Sequence, residues 1–372
     1  MRSSLLSLLS LLPLALGADP RSCTGKTKLS PSDFTLQEST DNQYLPSLDK
    51  IFENKNTTIT HVLATPNRSL KKGKPSVGNG DPAEAWAWNS GDDSTPKWTP
   101  QGISSSADAL GKGEWNGREV WMVSWHNEKD TNVRISFVDR ETHEYRHVLL
   151  VEPTAKDDFE AVAVHAGGIT WYGDQLFVVD TKHGLRVFDL GRIWKVGKGE
   201  KIGKDGDGYS AGGYRYVVPQ IRSYKWTPGS DSPFRFSWVS LDRSDSPDTL
   251  LIGEFVRKDS DPIRLVKWPL NADTRKLQTN DKGIASANFA HCVDFLRVQG
   301  GFSTDNTFYL SRSNGKAPKT GDLFKWKPGE KSELKEGWFM AGNEDLSYNP
   351  VKKEWYTITE YQDDRFILTY KM

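Results

Sequence analysis

Cysteine is nearly missing from this sequence, with only Cys23 and Cys292 among 372 residues. No CxxC pair or Cys/His cluster exists, which removes the common structural zinc frames. Charge of either sign is not in excess: 49 Lys+Arg face 49 Asp+Glu, and loss of Arg2 with a leader would leave 48 (49 − 1). A chain so balanced has no global electrostatic reason to bind nucleic acid or a membrane surface. There is no GxSxG elbow and no HExxH motif, and Ser104 to Ser106 have no identifiable base partner. "KDGDGYSAGG" starts like a calcium loop but lacks the later bidentate glutamate, so it reads as a flexible insertion. Beyond the N-terminus no run approaches the ~18 apolar residues of a membrane span. Apolar stripes of helical period are missing too, which argues against a helical core.

What is present begins with "MRSSLLSLLSLLPLALGADP", one arginine, a leucine-rich run and then small residues at Ala15, Gly17 and Ala18. That order reads as a secretory signal over residues 1–18, cleaved near Gly17 or Ala18. The mature chain is therefore expected to be extracellular, soluble and monomeric. Export makes a Cys23–Cys292 disulfide the simplest fate of the two thiols, with two free buried thiols as the alternative. It also makes "NTT" at Asn56 and "NRS" at Asn67 glycosylation sites. Residues 19–95 are polar and broken by Gly, Pro, Ser and Asn, which predicts an arm with few strands packed on the domain that follows.

From residue 96 to the C-terminus one pattern recurs. "VWMVSWHNEKDTNVRISFVD", "LFVVDTKHGLRVFDL", "TLLIGEFVRKDSDPIRLVKWPL", "TFYLSRSNGKAPKTGDLFKWKPG" and "EWYTITEYQDDRFILTYKM" can be laid beside one another. Trp125, Asp180, Glu254, Ser311 and Glu360 then occupy one equivalent turn, separated by 55, 74, 57 and 49 residues. Repeats near the ~40–50-residue length of propeller blades, built from evenly spaced strands, predict an all-β propeller of five blades. Six or seven blades are the alternatives, and the arm is expected to lend a strand to the last blade. The inner strands are assigned to "PQGISSS", "HAGGITW", "FSWVSLD", "AHCVDFL" and "NEDLSYN". Inner strands crowd around the axis, where small residues such as Gly102, Gly167 and Gly168 let backbones approach.

Polar residues at the inner-strand ends face a common funnel: Gln101, His165, Ser237, His291 and the pair Glu344–Asp345. A second ring comes from the equivalent turns: Trp125–His126, Asp180, His183, Glu254, Ser311–Arg312 and Glu360–Tyr361. Convergent polar groups in a concavity form a default binding site. The competing explanation for Asp180, Glu254 and Glu360 is structural pairing with Arg186, Arg257 and Arg365. The 14 tryptophans suit β cores and sugar faces alike, and Trp125 and Trp238 are the stacking candidates.

"WTPQGISSSADA", "RISFVDRETHEYRHVLLVEP", "VHAGGITWYGDQLFVVDTKHGLRVFDL" and "NEDLSYNP" together resemble a group of secreted fungal and actinobacterial proteins, over about residue 84 to the C-terminus. The resemblance implies export and a single domain, and it transfers no catalytic residues. At the level of architecture the pattern is similar to five-bladed arabinanase-like and levansucrase-like glycosidases and to the tachylectin sugar binder, without a shared motif. The leading expectation is a carbohydrate-active enzyme with one central site and a carbohydrate partner. In a glycosidase, Glu344 or Asp345 would work with Glu254 or Glu360. In a polysaccharide lyase, His165 or His291 would abstract a proton beside a uronate carboxylate neutralised by Arg312. Gln101, His126, Asp180 and Tyr361 complete the expected binding set. The alternatives are a lectin-like protein without turnover and a lactonase or phosphodiesterase holding an axial divalent metal. The first two readings need no cofactor.

Overall fold

The computed structural model describes residues 26–75, 78–228, 233–257 and 263–372. The proposed leader and Cys23 lie outside the described residues. Strands dominate. The first antiparallel unit runs Trp98–Ser105, Val120–Asn127, Val133–Asp139 and Glu144–Ala155. The next runs Ile169–Tyr172, Gln175–Asp180, Gly184–Asp189 and Tyr216–Trp226, and its outer strand pairs in parallel with that of the first unit. Units opening at Trp238–Asp242, Val298–Thr304 and Asn343–Asn349 follow.

The opening strands of these units pack on one another in a cycle, Trp98–Ser105 against Ile169–Tyr172, then Trp238–Asp242, Val298–Thr304 and Asn343–Asn349, and back to the first. Each unit leads outward from that ring, which is the arrangement of a β-propeller. The apolar faces of neighbouring units bury Val, Ile, Leu and aromatic side chains between them, as facing sheets must. Most tryptophans belong to this packing, and Trp121, Trp125, Trp171, Trp238 and Trp268 are fully buried.

The ring is closed by non-adjacent parts of the chain. Glu84–Ala87 pairs antiparallel with Phe366–Lys371, Trp86 lying opposite Ile367. The N-terminal segment carries short strands and helices. Thr35–Glu38 extends the second unit, and the helices Leu45–Ile51 and Ile59–Leu63 bury Leu45, Leu48, Val62 and Leu63. "KDGDGYSAGG" is not a loose insertion, because Ile202–Asp205 and Gly208–Ala211 form a hairpin in which Ser210 Oγ donates to Asp205 Oδ2 at 2.8 Å.

The funnel end of the ring is shaped by irregular pairing. Register shifts occur at Pro100/Ile103, Val298/Gly300 and Asn343/Leu346, placing Gln101, Gln299, Glu344 and Asp345 in bulges. A bulge breaks the strict alternation of side chains and re-aims them, which is why such features gather beside sites. Asp345 is turned into the wall. Its Oδ2 accepts from the amides of Ile103 at 3.2 Å and Ile169 at 3.4 Å, joining three opening strands.

Gly168 shows how tight the ring is. A Cβ there would meet Trp238 Cα at 2.6 Å and press on Val239 N, both backbone atoms that cannot swing aside. Gly168→Val is therefore expected to cost about 1–3 kcal/mol or more by overpacking. Denaturant unfolding of the purified variant checks this, and an unchanged midpoint would remove the argument.

Candidate functional site

A cavity of about 750 Å³ opens at the funnel end of the ring. Each opening strand, or the residues that lead directly into it, supplies the wall: Gln101, His165 with Gly167, Ser237, Gln299 and Glu344. Second-strand turns supply Thr181, Lys182, Phe255, Arg257 and Glu360, and Phe234 and Arg235 complete one side.

The centre is a carboxyl pair. Glu344, 2% exposed, comes from the bulge in the last opening strand, and Glu360 follows Glu354–Thr359 of the same unit. The two carboxyls are near enough to perturb each other's ionisation, so charging both at once is disfavoured. Burial first, and then the Glu360 charge, hold the Glu344 carboxyl well above the ordinary carboxylate range. Burial also raises Glu360, but the hydrogen bond from Gln101 and the charge of nearby His165 pull it back. Both carboxyls are raised, and the stronger upward push falls on Glu344. Gln299 Nε2 donates to Glu344 Oε1 at 2.8 Å, and Gln101 Nε2 donates to Glu360 Oε2 at 3.2 Å. Tyr361 also contacts Glu360, and burial with that charge pushes its phenol up to about 12.

Around this acidic centre stand cations. Lys182, Arg235 and Arg257 are exposed members of the wall, and His165 stands at the mouth with its side chain 44% exposed. Phe255 is half-buried and offers the wall an aromatic face.

Several expected members stand elsewhere. His291 is not on an opening strand: Phe289–Cys292 is the outer strand of its unit, pairing with Arg264–Pro269, and the opening strand beyond it supplies Gln299. The His291 ring packs on Phe289 and Trp326, away from the funnel. Glu254, 1% exposed, is sealed against Arg264 by two side-chain hydrogen bonds of 2.7 Å and takes the Arg235 amide at 2.9 Å. That removes it from proton transfer in the cavity. Asp345 lies behind the wall as described. Trp125 and Trp238 are fully buried, so neither face is open to a sugar; Trp125 Nε1 donates to Ser136 Oγ at 2.8 Å. Arg312 is committed to Asp322 at 2.6 Å. Asp180 pairs with Arg186 and His183 and lines a separate, smaller cavity. Ser104 donates to buried Asp108 at 2.6 Å, a structural contact.

His126 lies beside His165 at the rim, and Tyr361 supports the carboxyl pair, so both remain near the funnel. The residues missed from sequence are Gln299, Lys182, Arg235, Arg257, Phe255 and Asp130, which lies against both rim histidines.

No protein-family model matches the chain, and no curated protein does. Among solved structures the chain is similar to the β-propeller domain of Cps50 (Swd1) of Myceliophteria thermophila. The TM-score is 0.34 and the identity 11%, covering 82% of this chain and 100% of that one. It is also similar to a quinonprotein alcohol dehydrogenase-like protein of Bacteroides thetaiotaomicron, with TM-score 0.27 and identity 14%, covering 73% of this chain and 52% of that one. At those scores neither bears on the site.

Proposed function

We propose that the protein is a secreted carbohydrate-active enzyme whose funnel takes a uronate-bearing polysaccharide and cleaves it by β-elimination. The observation that carries this reading is a pair of mutually perturbed carboxyls, Glu344 and Glu360, in the wall of one cavity that Lys182, Arg235 and Arg257 also line. A two-carboxylate glycosidase keeps its carboxyls about 5–9 Å apart to flank the scissile bond. Two neighbouring carboxyls that perturb one another instead suit an adjacent base and acid. Glu360 would take the proton from the carbon next to the uronate carboxylate. The bond to the leaving oxygen then breaks, a carbon–carbon double bond forms, and Glu344 gives that oxygen its proton. The cations would neutralise the uronate carboxylate, which makes the abstracted proton more acidic. Phe255 gives the sugar ring a flat apolar partner.

The test is an assay on uronate polymers and neutral polysaccharides, following the ultraviolet absorbance of the unsaturated product and reducing ends together. Absorbance on a uronate polymer supports the proposal. Reducing ends without absorbance would mean hydrolysis, and saturable binding without either product would mean a lectin.

The same reading takes the ring as five-bladed, supported by the cycle of opening strands and by closure through Glu84–Ala87. It takes the chain as exported and glycosylated at Asn56 and Asn67, both exposed. A Cys23–Cys292 disulfide also belongs to it. Cys292 N donates to Thr27 O at 2.7 Å, which holds the chain near Cys23 against the Cys292 strand, and among the described residues there is no free cysteine. Peptide mapping without reductant should give one linked pair, whereas two thiols open to alkylation in the unfolded, unreduced protein would disprove it.

A further inference from the structure

Two imidazoles and one carboxylate converge at the mouth of the cavity. His126 lies on the strand Val120–Asn127, and its ring centroid is 4.2 Å from that of His165. Asp130, in the turn after that strand, adopts a left-handed φ of 53°, a conformation that Asp tolerates better than most residues. Its Oδ1 lies 2.5 Å from His126 Nδ1 and 3.2 Å from His165 Nδ1. One ligand atom from each residue lies within 4.8 Å of the other two.

Two imidazoles and a carboxylate at this spacing can share one ion. Two nitrogen donors disfavour calcium and magnesium, which take oxygen ligands. Two histidines with one carboxylate form a donor set of zinc and related ions, and they leave coordination positions open. Asp130 is 50% and His165 44% exposed, so an ion can enter from solvent.

We propose that His126, Asp130 and His165 bind one divalent ion of the zinc class at the rim of the funnel, with open positions for water or an anionic group of a ligand. This site does not depend on β-elimination at Glu344 and Glu360. It would give the funnel a fixed positive charge where His165 shares the wall with Glu360.

The test uses the full secreted chain, stripped with chelator, desalted and titrated with Zn²⁺ by calorimetry, with Co²⁺ as a spectroscopic probe. One saturable equivalent is expected, together with Co²⁺ bands of a low-coordinate nitrogen–oxygen site. His165→Ala and Asp130→Asn should each weaken binding by about 100-fold or more, beyond the ~10–100-fold of a typical outer-shell change. Both positions are half exposed, and thermal melting of the metal-free variants verifies that they fold. His183→Ala, which removes a separate His–Asp contact, should leave affinity unchanged. No saturable uptake by the wild type would overturn the proposal, as would uptake that both rim variants retain.

Discussion

Replacing Asp92 with alanine is expected to lower the free energy of unfolding by about 3–5 kcal/mol, because the change strands buried polar partners. Asp92 lies in the short helix Ser90–Asp93 and is 1% exposed. It accepts from Arg134 Nη2 at 2.8 Å and from Tyr145 OH at 2.6 Å, while Arg68 and His147 approach to 3.0 Å. Burial alone would raise its carboxyl, but His147, Arg134 and Tyr145 together hold it below the ordinary range. Without that carboxylate, Arg134, itself 4% exposed, keeps a charge with no nearby counter-ion among these partners. Equilibrium unfolding in denaturant measures the loss, and a deficit under about 1 kcal/mol would mean that water reaches Arg134 freely.

The same cluster sets an acid limit. His147 is fully enclosed, and burial first, then Arg134, lower its proton affinity from 6.5 to about 3. Its Nε2 is close to Asp92, but Arg134 already neutralises that carboxylate, so the ring is buried neutral. In the unfolded chain the same imidazole protonates below about 6.5. Between about 6.5 and 3 the unfolded state therefore binds more protons, and stability falls as pH drops through that window, by up to ~1.4 kcal/mol per unit. Asp92 acts in the same direction lower down. A depressed carboxylate contributes stability above its unfolded value of 3.8 and loses it as pH falls further. His147→Gln should flatten the upper part of the curve and leave the lower part.

Glu360→Gln and Glu344→Gln are each expected to lower turnover on a uronate polymer by about 10²–10⁴-fold, the range for losing a positioned acid or base. Their effects on stability should be opposite in kind to the effect of Asp92→Ala. A buried carboxyl held above its ordinary value is protonated when folded and ionised when unfolded, so it costs stability as pH rises past about 4.5. Glutamine at 344 resembles the protonated acid and can keep the contacts with Gln299 and Glu360. The Glu344→Gln protein should therefore be at least as stable as wild type at neutral pH while nearly inactive. Unchanged turnover in both variants would dismiss the pair as the chemical centre, and a large loss of stability would identify Glu344 as a structural group.

The ring of units was readable because each second strand ends in an equivalent turn, and Asp180, Ser311 and Glu360 do lie at or next to such ends. Four of the five inner strands were readable as a polar residue followed by small or apolar ones. The exception is instructive. "AHCVDFL" has that rhythm, yet "VQGGFST" a few residues later repeats the glycine-rich form of "HAGGITW", and it is the strand that opens the unit. Weighing Gln299-Gly300-Gly301 against His165 to Gly168 would have found it. Glu254 was assigned a neighbouring arginine three residues away, but antiparallel pairing brings Arg264 across from it, a relation set by register. The cations Lys182, Arg235 and Arg257 come from turns of different lengths, whose convergence no periodicity encodes. His126 and Asp130 lie four residues apart in one turn, but only the fold brings His165 beside them.

The pairing of Glu84–Ala87 with Phe366–Lys371 bears on the order of events during synthesis. Trp86 and Ile367 are partners across 281 residues (367 − 86), so this contact has a far larger loop to close than any hairpin in the molecule. Non-local pairing of that kind slows folding, because the entropy of closure is spent before the contact returns anything. Until the last strand has left the ribosome, Glu84–Ala87 has no final partner and the circle stays open. A chain that still lacks Phe366–Lys371 thus carries two unsatisfied strand edges, a state that exposes pairing groups to other molecules. The final few residues are the latch of the whole ring, and truncating them would leave both edges bare.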